Sequence, residues 1–183
     1  MTMVVEIRPA IPADAPAVAA IYAHHVAHGT GSYDTEPRSA AETAELIAHH
    51  DSRGWPFLVA VIGDEIVGYC YASQFKPRAG YSWTCEDSIY VGPHHLARGV
   101  GRRLLNALVQ CAEQCGFRTM VAVIGGAEPA SIALHAGCGF AHAGRLAGMG
   151  WKHGRWLDTV YMQRALGFGT ASPPGAVPSG RID

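Results

Sequence analysis

Residues 88–109, SIYVGPHHLARGVGRRLLNALV, constrain the fold of this chain more than any other stretch. An apolar run closes at Val91, Gly92 and Pro93 break it, and Gly99-Val100-Gly101 leads into a run with apolar residues at 100, 104, 105, 108 and 109. A period near two gives way to one near 3.6. The pattern predicts strand, glycine turn and helix, the helix reaching about Cys115. The next segment, FRTMVAVIG at 117–125, reads as a buried strand. A helix between two strands is a crossover unit, so the fold must hold at least one such pair. The turn also presents backbone N–H groups at a helix N-terminus, where the helix dipole favours an anion.

The surroundings follow from the same signals. Residues 3–10 alternate like a first strand. A first helix has Asp14 as its expected N-cap, Pro16 in its first turn and Gly29 as its stop. After a loop at 29–37, Ser39-Ala40-Ala41-Glu42 is a capping box that opens a second helix through about Arg53. Residues 55–75 read as two strands joined by a Gly63-Asp64 turn. A loop, KPRAGY, precedes another strand at 82–91. Residues 127–140 hold a short helix ending at Gly137 or Gly139, and 141–151 and 155–166 are two last strands. The order βααβββαβαββ predicts a mixed α/β domain of the α+β type with one crossover, not a doubly wound sheet. Residues 1–166 read as one domain. The Gly/Pro/Ser-rich residues 167–183 read as a loose tail.

Composition narrows the class. With 183 residues, 49% hydrophobic and 16% charged, the chain has material for one core. Its 14 basic and 15 acidic residues give a net charge of −1, so no global field draws it to nucleic acid or membrane. No apolar run approaches the ~20 residues of a membrane span and the N-terminus lacks a signal-peptide core, so a cytoplasmic location is expected. Five cysteines without a CxxC read as reduced thiols, and adjacent histidine pairs at 24/25, 49/50 and 94/95 cannot both face one point on a regular helix. No metal site is expected.

The glycine turn lacks the GxxxxGK[ST] of a triphosphate loop. It also lacks the third glycine of a dinucleotide fingerprint, because Arg102, Arg103 and Leu104 follow Gly101. A bare strand–helix connection is one reading. The other is a cradle for a pyrophosphate held without a metal, by successive N–H donors with Arg98, Arg102 and Arg103.

Residues 88–108 resemble the acetyl-CoA-binding motif of the GCN5-related N-acetyltransferases (GNAT), a strand, a [QR]xxGx[GA] loop and a helix. Leu96 stands where that motif has Gln or Arg. The resemblance covers residues 3–166. It implies the GNAT fold, acetyl-CoA as cosubstrate, and coenzyme contacts at Ile89, Tyr90, Val91, Arg98, Gly99, Val100, Gly101, Arg102 and Ser131. Segments 35–37, 75–91, 121–126, 131–140 and 150–163 resemble more narrowly the phosphinothricin and methionine sulfoximine acetyltransferases, the HGRWLD segment being distinctive. Glu128 and Pro129 stand where those enzymes commonly carry an Asn that contacts the coenzyme's pantetheine arm.

This narrower resemblance implies acetylation of the α-amino group of a small amino-acid analogue: L-methionine sulfoximine, methionine sulfone or phosphinothricin. It also implies a homodimer. Such chemistry needs a base for the ammonium, a donor for the developing oxyanion and a proton for the thiolate. Glu86 is the implied base and His135 a second catalytic group, able to take the amine proton or to protonate the sulfur. The period of two places Glu86, Ser88 and Tyr90 on one face of their strand and Asp87 and Ile89 on the other, which makes Asp87 the local competitor. The oxyanion donor is expected at the backbone N–H of Tyr90 or Val91. Tyr33, Lys76, Arg78 and Tyr81, with Glu86, are implied to surround the acceptor. Cys85 and Cys138 lie nearby in sequence, but direct transfer is the expectation rather than an acyl-cysteine. Two other readings remain open: a GNAT enzyme for another amine, such as a peptide N-terminus or polyamine, and a non-catalytic acyl-CoA sensor.

Overall fold

The structure, a computed structural model, describes residues 4–178. Its elements run β1 (Glu6–Pro9), α1 (Ala15–His28), α2 (Ala40–Arg53), β2 (Phe57–Ile62), β3 (Glu65–Gln74), β4 (Thr84–Val91), α3 (Val100–Gln114), β5 (Thr119–Gly125), α4 (Pro129–Gly137), β6 (Ala141–Lys152) and β7 (Arg155–Ala165). The expected order βααβββαβαββ is the observed one. The strands form one seven-stranded sheet in the order β1-β2-β3-β4-β5-β7-β6. Only β4 and β5 pair in parallel, because the α3 crossover joins them. Every other pair is antiparallel. Among the described residues, no helix is long and apolar enough to cross a membrane.

Two cores follow from strand alternation. On one face α3 sets Leu104, Leu105 and Leu108 against Leu58, Cys70, Cys85, Met120 and Ala122. On the other, Val18, Ile21, Tyr22 and Val26 of α1 and Ile47 of α2 pack on Phe57, Val59 and Tyr69. Full burial of each such Leu contributes ~1.5–3 kcal/mol. The capping box of α2 forms as written in the sequence: Ser39 Oγ accepts from the Glu42 N–H at 3.2 Å, and Glu42 accepts from the Ser39 N–H at 2.8 Å.

Asp14 departs from its expected role. Its carboxylate makes no cap for α1. It turns back to accept from Arg8, at 2.7 and 2.9 Å, and from the Ile11 N–H at 2.9 Å. The Arg8 hydrogen bond holds its pKa below the usual carboxylate value, despite partial burial. A guanidinium on the neighbouring strand outcompetes a single backbone donor.

The tail is also not loose where it is described. Arg118 donates to Gly169 O at 2.8 Å and to Ser172 Oγ at 2.9 Å, the Trp83 indole donates to Ala176 O at 3.2 Å, and Pro178 is buried beside Gly116. Residues 179–183 lie outside the described part.

Candidate active site

β4 and β5 pair only where Thr84, Cys85 and Glu86 face Thr119, Met120 and Val121. Beyond Glu86 they part. β4 stays paired with β3 as far as Val91, and β5 with β7 as far as Gly125. The result is a fork whose free strand edges line a cavity of about 1230 Å³, larger than the ~300–1,000 Å³ of a drug-sized site. Backbone direction alternates along β4. The Tyr90 carbonyl faces Gly68 of β3, whereas the Val91 carbonyl accepts from His25 Nε2 at 2.8 Å. In an extended strand the N–H and C=O of one residue point the same way. Of the two expected oxyanion donors, Val91 therefore has its N–H on the fork side and Tyr90 has its N–H turned to β3. Burial lowers the pKa of His25, which favours the neutral tautomer with Nε2–H.

The glycine turn stands at the mouth of the fork. Gly99 is the N-cap of α3 at φ +81°, a conformation that suits glycine, and it has no side chain to cap the helix. The first intrahelical bond runs from the Arg103 N–H to Gly99 O at 3.2 Å. The N–H groups of the preceding helical residues are left as free donors, as at any uncapped helix start. The cavity is lined here by Leu96, Ala97, Gly99, Gly101 and Arg102. Val100 is fully buried in the α3 core, so it can offer a ligand only its backbone. Arg98 is not part of the lining.

The two faces of β4 hold different chemistry. Glu86 lines the cavity on the α1 side and makes no hydrogen bond among the described residues. Burial raises its pKa, the Asp87 charge adds to the rise, and the Lys76 ammonium offsets part of it. Asp87, on the α3 side, accepts from His135 Nε2 at 3.0 Å, with both side chains 2% exposed. His135 Nδ1 donates to the Ser131 carbonyl at 2.7 Å, so both ring nitrogens are engaged. Burial opposes a charge on His135, but the hydrogen bond and charge of Asp87 outweigh it and its pKa is raised. Asp87 Oδ1 is buried with no hydrogen-bond partner among the described residues. Glu86 and His135 both line the cavity, from opposite sides of the sheet.

On the Glu86 side the wall is aromatic. Tyr69 stacks on Tyr90 with centroids 5.3 Å apart, and Tyr22 meets Tyr90 edge-on at 5.2 Å. Tyr22 hydrogen-bonds Asp34 and Ser32, and burial with the Asp34 bond pushes its pKa up to about 12. The loop carrying these residues is clamped to the β6–β7 hairpin. Tyr33 donates to Asp158 O at 3.0 Å and meets Thr159 Oγ1 at 2.7 Å, the buried Lys152 donates to Ser32 O at 2.8 Å, and His153 donates to Gly29 O at 3.1 Å. The His153 and Gly154 turn of the HGRWLD segment therefore secures the loop rather than facing the fork. Gly125 and Gly126 let Thr30 approach so closely that a Cβ on Gly126 would lie 2.5 Å from Thr30 Cβ. Thr30 donates to Glu128 at 3.3 Å, and both line the cavity.

The cavity gathers Tyr33, Glu86, Ile89, Tyr90, Val91, Gly99, Gly101, Arg102, Ser131 and His135 of the residues singled out in the sequence. It does not gather Lys76, Arg78 or Tyr81. Lys76 stacks on Phe75 and reaches Glu86 only through its charge. Sequence reasoning passed over Arg38, Tyr22, Tyr71, His24, His25 and His28, which also line the cavity. Tyr69 and Tyr71 alternate at strand period, the one signal that an aromatic wall stood on that face.

Residues 7–161 match the acetyltransferase (GNAT) domain family. The chain belongs to the GNAT family. It is 43% identical over 162 residues to a phosphinothricin N-acetyltransferase of Alcaligenes faecalis, covering 88% of this chain and 82% of that one. It is 36% identical over 163 residues to an L-methionine sulfoximine/L-methionine sulfone acetyltransferase of Salmonella typhimurium, covering 87% and 94%. The crystal structure of a GNAT phosphinothricin acetyltransferase from Sinorhizobium meliloti, solved with acetyl-CoA, superimposes with a TM-score of 0.92 at 44% identity over 94% of each chain. This GNAT protein is accordingly an N-acetyltransferase with acetyl-CoA as cosubstrate. The uncapped α3 N-terminus, with Arg102 beside it, fits the coenzyme's pyrophosphate.

Proposed function

We propose that the protein acetylates the α-amino group of a small amino-acid analogue, L-methionine sulfoximine, methionine sulfone or phosphinothricin, by direct transfer with Glu86 as general base. The observation that carries this reading is Glu86 itself: a cavity-lining carboxylate, without a hydrogen-bond partner, whose pKa is raised by burial, at the point where β4 and β5 part. A base poised nearer neutral pH suits an ammonium acceptor. The named activities of the relatives supply the substrate class.

Acetyl-CoA supplies the acetyl group as a thioester. Glu86 takes one proton from the substrate ammonium, directly or through one water. The freed nitrogen forms the C–N bond at the thioester carbon. The Val91 N–H, on the fork side, faces the negative charge that develops on the thioester oxygen. As that charge collapses the C–S bond breaks, nitrogen gives its second proton to water and the leaving sulfur takes one. His135 supplies that proton only by turning Nε2–H away from Asp87, since both nitrogens are engaged at rest. Burial raises the pKa of Cys85, which has no exposed surface, and this favours direct transfer over an acyl-cysteine.

A thiol-release assay over an amino-acid panel tests the reading. Turnover of at least one of the three analogues is expected. None, with good turnover of a peptide or polyamine, overturns the substrate class; tight acetyl-CoA binding without turnover of any amine overturns the catalytic reading. The homodimer is part of the same proposal. Leu146, Met149, Trp151 and Trp156 stand exposed on the edge hairpin β6–β7, an apolar patch of the kind that marks interfaces. Sedimentation at twice the mass of the chain is the expected result.

A further inference from the structure

Arg38 is a cation with no ion-pair partner among the described residues. It precedes the Ser39 cap of α2, and its guanidinium lies over the Tyr22 ring at 4.2 Å and beside Tyr71. No carboxylate stands within ion-pair distance of it among the described residues. Arg8, by contrast, is taken up by Asp14, and Arg145 by Asp158. Arg38 and Arg102 are the cavity's lining Lys or Arg side chains, and Arg102 stands with the glycine turn at the coenzyme end. Arg38 is thus the fixed positive charge in the aromatic half, which it shares with Glu86. In the β3–β4 register Tyr71 faces Ser88 and Ser73 faces Glu86, so Tyr71 is the diagonal neighbour of Glu86 on that face. Ring faces hold a guanidinium flat and partly desolvated, with its N–H fork directed along the ring plane, where the Tyr71 hydroxyl is its neighbour.

An amino-acid zwitterion needs an anion beside its ammonium and a cation beside its carboxylate. Resting on the reading of Glu86 as the base, we infer that Arg38 binds the α-carboxylate of the acceptor and sets the enzyme's preference for amino acids over simple amines. The guanidinium donates to the carboxylate in a charge-assisted pair, Glu86 faces the amine, and the side chain extends along the tyrosine wall. The loop of Lys76, Arg78 and Tyr81 then contributes its charge from outside the cavity.

The test compares an acid with its amide. For L-methionine sulfoximine and its α-carboxamide, the wild-type ratio of kcat/KM is expected to favour the acid by at least tenfold. Arg38→Gln is expected to bring that ratio near one, chiefly by raising KM for the acid about 30-fold, the range of one charged hydrogen-bonded contact. Arg38→Lys, which keeps the charge without the planar fork, keeps part of the preference and serves as the decisive variant should the Gln form melt early. A wild-type ratio near one overturns the inference, as does an Arg38→Gln enzyme that keeps the wild-type ratio. In the second case loss of the ratio in Lys76→Gln/Arg78→Gln places the carboxylate at the loop instead. A wild-type enzyme that acetylates amines but no amino acid refutes the acceptor class itself, and the inference falls with it.

Discussion

The two faces of β4 place adjacent carboxylates in opposite circumstances. Glu86 lies in a cavity wall, unbonded, with a pKa raised by burial. Asp87, one residue on, is locked to a histidine that is itself locked to a carbonyl. The strand's period of two does this with no change of residue class. Ionisation at Glu86 is penalised by the desolvated wall, whereas Asp87 is held by a hydrogen bond from a buried partner. The first arrangement suits proton transfer and the second suits holding α4 on the sheet.

That contrast can be broken. The largest effect is expected from His135→Ala, which leaves the Asp87 carboxylate buried and uncompensated; urea denaturation should show a loss of about 3–5 kcal/mol. A loss below ~1 kcal/mol would mean that the pair does not hold the fold. Next in size, Glu86→Gln should lower kcat about 10²-fold while leaving the thermal midpoint near the wild-type value. A normal rate in that variant would remove Glu86 from the mechanism.

Two smaller effects sharpen the comparison. Because the folded pKa of His135 is raised, its stabilisation is full below its unfolded value of about 6.5 and fades as pH rises through the folded value. A thermal midpoint followed from pH 6 upward should fall more steeply for wild type than for Asp87→Asn. Finally, Asp87→Asn removes a charge that raises the Glu86 pKa, so the acid limb of kcat/KM should move to lower pH. A limb that stays in place would show that the two faces do not communicate.

The fold was legible because its signals are local. The Ser39 capping box, the Gly63 turn, with Gly63 at φ +60°, and the change of period at Gly99 each needed only a few neighbouring residues. The candidate site was half legible. Glu86 and the glycine turn sit inside one continuous motif, whereas the Asp87–His135 pair joins residues 48 apart in sequence. Arg38 carried no signal, since its meaning comes from tyrosines on α1 and β3 that only folding brings to it. Asp14 shows the converse failure: a correct cap residue in a correct position was drawn off by Arg8, a partner whose reach the pattern does not encode.

The C-terminal residues have a bearing beyond their own packing. Trp83 immediately precedes β4, and Arg118 immediately precedes β5. Gly169, Ser172 and Ala176 accept hydrogen bonds from those two side chains, at the end where the strands are still joined. The tail is therefore a clasp on the hinge of a pair of tongs whose open jaws line the candidate site. Trimming the chain at residue 166, to remove an apparently dispensable extension, would cut the clasp. The effect should surface at the jaws, in the KM for acetyl-CoA, before it surfaces as unfolding.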